Sequence, residues 1–86
     1  MVKTNGYESN IYAKLSNVGN EVNRIVNWLE CEMGGIDESS CFELKVILNE
    51  LLSNAVKHGS KEDASRFVEI RVDAADDNTI TIEVED

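Results

Sequence analysis

The stretch Glu50-Leu51-Leu52-Ser53-Asn54-Ala55-Val56-Lys57-His58-Gly59 sets a carboxylate, an amide and an imidazole four residues apart, within a run whose apolar residues repeat at helical spacing. A helix turns by about 100° per residue, so Glu50, Asn54 and His58 form one slowly drifting stripe. On a wheel with Leu44 as origin, Ile47, Leu48, Leu51, Leu52 and Ala55 share one arc, the predicted buried face. Lys45, Asn49, Ser53 and Lys57 lie roughly opposite and supply the solvated face. The stripe belongs to neither group. It borders the apolar arc beside Ile47, at the rim of the core, where polar groups can be held firmly and still reach a ligand. A solvated helix face would serve that spacing equally well, so the neighbouring segments decide between the two.

Downstream, Ser60 to Arg66 read as a short polar connection. Val68, Ile70, Val72 and Ala74 then alternate with Phe67, Glu69, Arg71 and Asp73, and Ile80, Ile82 and Val84 alternate with Thr79, Thr81, Glu83 and Glu85. Asp76-Asp77-Asn78 supplies turn residues between them, which predicts an antiparallel hairpin. Upstream, Asp37 is a candidate N-cap with Ile36 and Cys41 as a hydrophobic staple, while Ser40 and Glu43 form a competing capping box. Before that, Val18, Val22, Ile25, Val26, Leu29 and Met33 repeat at helical spacing, with Asn17 as a candidate cap and Gly34-Gly35 as a stop. Trp28 falls near the border of this first helix and reads as a packing residue. The alternation of Ile11, Ala13 and Leu15 against Tyr12 and Lys14 predicts a short strand over residues 10–15, after a polar, flexible N-terminus over 1–8. Strand, helix, helix, strand, strand over residues 9–86 predicts an α+β two-layer sandwich, an antiparallel sheet with two helices on one face.

Composition bounds the function. Eighty-six residues make one small domain. A net charge of −9 excludes a nucleic-acid backbone or an anionic membrane as the main partner and suits a basic protein or a metal-bound nucleotide. Cys31 and Cys41 lack metal-site spacing, and with no leader or long apolar run the chain reads as cytoplasmic, its thiols free and used for packing.

Asp86 shares the parity of Ile80, Ile82 and Val84 and so points toward the helix-covered face. A carboxylate there needs a hydrogen-bond donor, unless it is simply a hydrated terminal residue. Taken with the pattern Glu50-x-x-x-Asn54-Ala55-x-x-His58-Gly59, the hairpin ending in this aspartate resembles the GHKL ATPases. That superfamily comprises type II topoisomerases, heat-shock chaperones, mismatch-repair ATPases and histidine kinases, and the version here is most similar to the bacterial anti-sigma-factor serine/threonine kinases. The resemblance spans about residues 9–86.

Carried over position by position, the resemblance implies ATP and Mg²⁺ as cofactors. It assigns Asn54 to the Mg²⁺ ion bridging the phosphates, consistent with a hard, neutral oxygen ligand. Glu50 is implied as the general base that takes the proton of a substrate serine. Asp86 is implied to accept from the adenine amino group. His58 and Gly59 close the motif, shaping the helix end and the phosphate pocket. The implied partners are a sigma factor, sequestered, and an anti-anti-sigma protein, phosphorylated.

The glycine boxes and mobile ATP lid of this superfamily have no counterpart up to Asp86. The chain is therefore expected to be the N-terminal part of such a domain, with little activity alone and an open sheet edge through which it could form a homodimer. Two other readings are a histidine-kinase catalytic module, whose phosphoacceptor histidine would lie on an upstream helix, and a non-enzymatic interaction module.

Overall fold

A computed structural model of the chain describes residues 4–59, 61, 63, 65–75 and 79–85. Its elements are β1 (Thr4–Tyr12), α1 (Leu15–Glu32), α2 (Glu38–Asn54), a π-helical turn (Ala55–Gly59), β2 (Phe67–Ala75) and β3 (Ile80–Glu85). The strands form one antiparallel sheet in the order β1-β2-β3. Two helices pack on one face of it, which is the predicted α+β sandwich.

The predicted alternation sets the inner face of the sheet. Val68, Ile70, Val72 and Ala74 are buried, while Phe67, Glu69, Arg71 and Asp73 are exposed. Ile80, Ile82 and Val84 lie on that inner face opposite Ala74, Val72 and Ile70, but only half-buried. The Ala75 N–H donates to the Thr79 carbonyl at 2.9 Å, closing the hairpin. Asp76, Asp77 and Asn78, the predicted turn, lie outside the described residues, as does Asp86.

β1 differs from the expected strand. It spans Thr4–Tyr12 rather than 10–15 and pairs along its whole length with β2, from Thr4 opposite Ala75 to Tyr12 opposite Phe67. Backbone bonds to a neighbouring strand need no apolar side chains, so the polar run Asn5-Gly6-Tyr7-Glu8-Ser9 leaves no hydrophobic signal. Ala13 is fully buried just past the strand, and its N–H bonds to the Arg66 carbonyl at 3.0 Å.

Leu15 is not in a strand at all, because α1 begins there with Lys14 as a cap that makes no side-chain hydrogen bond. Asn17, the expected cap, instead donates its Nδ2 to the Tyr12 carbonyl at 3.1 Å. Gly34 and Gly35 end the helix as expected, with φ of 70° and 112°, a region L-residues avoid. The Gly35 N–H bonds back to the Glu30 carbonyl at 2.8 Å.

For α2 the choice between caps falls to Asp37, which accepts from the Ser40 N–H at 3.1 Å. The Ser40 hydroxyl and that N–H hold the Asp37 carboxyl below its ordinary range. Cys41 is half-buried against the core, and its Sγ donates to Glu30 Oε1 at 3.4 Å. Desolvation first, then Glu30, pushes that thiol above its usual value. Cys31, by contrast, is exposed and packs nothing into the core.

The core itself is Val18, Val22, Ile25, Val26 and Leu29 of α1, Leu48 and Leu52 of α2, Val56, and the inner face of β2. Among the described residues no helix is long and apolar enough to cross a membrane.

One polar side chain is sealed in with them. Glu21 is 1% exposed, sitting in the same periodic row as Val18, Val22 and Ile25. Its Oε2 accepts a 2.5 Å hydrogen bond from the Tyr7 hydroxyl, and the Tyr7 ring lies 5.7 Å from Trp28. Among the described residues Oε1 has no hydrogen-bond partner, and the Arg24 guanidinium approaches it only to 3.9 Å. Tyr7 therefore fastens β1 to α1.

Desolvation, reinforced by Glu21, pushes the Tyr7 phenol up to about 12. A folded value above the unfolded one of about 10 makes this contribution complete below about pH 10 and lost as pH rises toward about 12. Stability measured against pH should fall across that window in the native chain and not in Tyr7→Phe. At neutral pH, Tyr7→Phe should cost about 1–3 kcal/mol in urea unfolding, because it strands a buried carboxylate. Adding Glu21→Met, which removes the stranded group, should recover most of that loss.

Candidate functional site

Helix α2 carries the predicted site residues, and its packing explains how they are presented. Leu48 and Leu52 are fully buried and Leu44 and Ala55 half-buried, so the helix meets the core along a narrow seam. The expected arc was wider. Ile47 is 48% exposed and Leu51 40% exposed, because α2 packs chiefly on α1 and only slightly on the sheet.

Between the α1–α2 connection, the first half of α2 and the start of β3 lies an open groove of about 540 Å³. Leu44, Ile47, Ile36 and Ile80 line its floor, and Ser40 and Glu43 stand on the α2 side. Ser40, Glu43, Leu44 and Ile47 follow helical spacing, and continuing that row by three or four residues reaches Glu50, Leu51 and Asn54. The corresponding row on β3 is Ile80, Ile82 and Val84, whose next member by parity is Asp86, outside the described residues.

Glu50 and Asn54 continue this row along α2 but are not among the residues that line the groove. Both are exposed, and both line a shallow depression with Val46, Asn49, Ser53 and Lys57 on the solvent side of the helix. Side chains four apart on a helix have Cβ atoms about 5–6 Å from one another. Neither Glu50 nor Asn54 is held by a hydrogen bond or ion pair among the described residues, so both heads are free to turn toward a ligand.

His58 is displaced from the expected stripe. The α-helix ends at Asn54, and Ala55–Gly59 wind as a π turn, with hydrogen bonds reaching five residues rather than four. Each π turn takes up more residues than an α turn, so His58 lags its α-helical position relative to Asn54. Its ring is exposed, and Gly59 is half-buried at the end of the turn. Val56, fully buried, anchors this turn to the core. The regular i, i+4 spacing in the sequence conceals the change of winding.

Sequence reasoning also missed Glu21, although the signal was present. Its position between Val18 and Val22 in the α1 periodicity places it on the buried face, where a carboxylate requires a partner.

Neither a comparison with curated proteins nor one with solved structures gives a significant match. The family model described as the histidine kinase-like ATPase domain matches residues 11–86, which takes in the last two residues of β1, both helices, Glu50 and Asn54, and the hairpin. On the strength of that match and of the β-α-α-β-β sandwich, the chain belongs to the histidine kinase-like ATPase domain family.

Proposed function

We propose that the chain carries, at Glu50 and Asn54, part of the nucleotide site of an ATP-dependent serine/threonine protein kinase of the anti-sigma-factor type, a cytoplasmic protein. Domains of this family bind ATP. The observation that carries the finer reading is the pair Glu50 and Asn54, one helical turn apart in one shallow depression of α2, exposed and unengaged among the described residues.

Asn54 presents a neutral amide oxygen, a suitable ligand for a hard cation. Among the described residues no group of three or more His, Cys, Asp or Glu side chains forms a metal cage. A Mg²⁺ ion at Asn54 would take its remaining ligands from phosphate oxygens and water, the usual mode for this ion at nucleotide sites.

Glu50 stands one turn earlier in the same depression. Its carboxylate accepts the proton of a partner's serine hydroxyl as that oxygen attacks, while ATP, when bound, supplies the γ-phosphoryl group. Ile36, Leu44, Ile47 and Ile80 give the neighbouring groove its apolar lining. Asp86, next in the β3 row, is assigned to the adenine amino group, and His58 and Gly59 to the turn beside the phosphates. A small anti-anti-sigma protein as phosphoacceptor and a sigma factor as sequestered partner complete the reading.

The test is incubation of the full-length protein with Mg²⁺, radiolabelled ATP and the anti-anti-sigma partner. Acid-stable label on a serine of the partner is the expected result. Acid-labile label on the protein itself would instead identify a phosphohistidine and overturn the serine-kinase assignment.

A further inference from the structure

The face of the sheet turned away from the helices carries no covering element among the described residues, and its side chains are arranged in rows. Tyr12 stands opposite Phe67; Asn10, Glu69 and Glu85 form the next row; Glu8, Arg71 and Glu83 follow; then Gly6, Asp73 and Thr81. All are exposed.

Two features of this face work against the stability of the chain by itself. Tyr12 and Phe67 stack at 4.4 Å between ring centroids yet remain 52% and 50% exposed. Glu69 and Glu85 sit directly opposite one another on neighbouring strands, an arrangement that like charges make unfavourable. Arg71 does not relieve it, being bonded at 3.6 Å to Glu83 and flanked by Glu8 in the same row. Five carboxylates, Glu8, Glu69, Asp73, Glu83 and Glu85, thus surround one guanidinium on this face. A second copy of the same surface would bring carboxylates against carboxylates and is a poor occupant.

We propose that this outer sheet face docks an extended, arginine-bearing segment of a partner protein. An arginine seats on the Tyr12–Phe67 pair through cation–π stacking, and the next basic side chain of the segment enters between Glu69 and Glu85. The spacing suits a segment that crosses the sheet obliquely: the aromatic pair on β1–β2 and the Glu69–Glu85 pair on β2–β3 are two residues apart along the strands, about 6.8 Å, and one strand apart across them, about 4.8 Å, within reach of successive long side chains on one side of an extended peptide. The aromatic pair provides the desolvated anchor and the carboxylates provide orientation, the division found at protein interfaces.

The probe is a nonapeptide alternating arginine and serine, titrated into the chain by calorimetry and by amide NMR, with a lysine–serine peptide for comparison. Shifts should concentrate at Tyr12, Phe67, Glu69 and Glu85, and the arginine peptide should bind more tightly than the lysine one. Glu69→Gln with Glu85→Gln should weaken binding at least tenfold while raising the melting temperature, since it removes the opposed charges. Tyr12→Leu should reduce the advantage of arginine over lysine. The control is Glu38→Gln with Glu43→Gln on α2, which changes net charge by the same amount and should leave the affinity within about twofold. An equal loss in the control, shifts centred elsewhere, or concentration-dependent self-association through this face would overturn the proposal.

Discussion

Glu50→Gln is expected to slow phosphoryl transfer to the partner's serine by about 10²–10⁴-fold, the range for loss of a general base. Glutamine keeps the size of the side chain and its hydrogen-bonding oxygen but cannot hold the transferred proton. Because Glu50 is exposed and unbonded among the described residues, the substitution should leave the fold intact and ATP affinity within about twofold. Single-turnover assays with saturating Mg-ATP separate the two quantities. Asn54→Ala should behave differently, lowering Mg-dependent nucleotide affinity as well as the rate. A Glu50→Gln enzyme retaining native turnover would remove Glu50 from the chemistry and leave only its place on the helix surface.

Leu52→Ala should lower stability by about 2–5 kcal/mol. Leu52 is fully buried, and truncation opens a cavity directly beneath the turn that carries Glu50 and Asn54. Against a total of about 5–15 kcal/mol for a small domain, such a loss consumes much of the margin. Leu51→Ala, one residue away, should cost under about 1 kcal/mol, since Leu51 is already 40% exposed. Urea unfolding of the two variants compares them directly. Equal losses would show that the helix seats on the sheet along the wider arc expected from its periodicity.

That pair shows where sequence reading succeeds and where it stops. The helical period of α2 is written in its apolar residues, but periodicity counts every apolar position as buried and cannot say how wide a seam the neighbouring layer offers. Ile47 is apolar and lines the open groove, and Leu51 is apolar and substantially exposed, so neither belongs to the buried foundation of the helix. The hairpin was legible down to the parity of Val72 and Ile82 because both strands alternate strongly. β1 was legible only at Ile11 and Tyr12, since its earlier residues pair by backbone bonds that leave no side-chain pattern. Glu50 and Asn54 share one exposed side of α2 with Asn49, Ser53 and Lys57, residues that the wheel had set apart from them. His58 does not keep step, because the change from α to π winding after Asn54 depends on how Val56 is held in the core. The row of opposed glutamates emerged only once register was fixed, for Glu69 and Glu85 are distant in the chain and acquire meaning as neighbours.

The pairing of β1 with β2 also determines the order in which the molecule can come apart. Ile11 meets Val68 only by enclosing both helices in a single closed loop, whereas α1 with α2 and β2 with β3 join neighbours in the chain. Closing such a loop carries an entropic cost that local elements avoid, so β1 should zip onto the sheet last and peel away first. Amides of β1 should then exchange with solvent as one unit, ahead of the hairpin. Each such opening withdraws Tyr7 from Glu21 and splits the Tyr12–Phe67 stack, so a single reversible motion ties the integrity of the core carboxylate to the availability of the outer face.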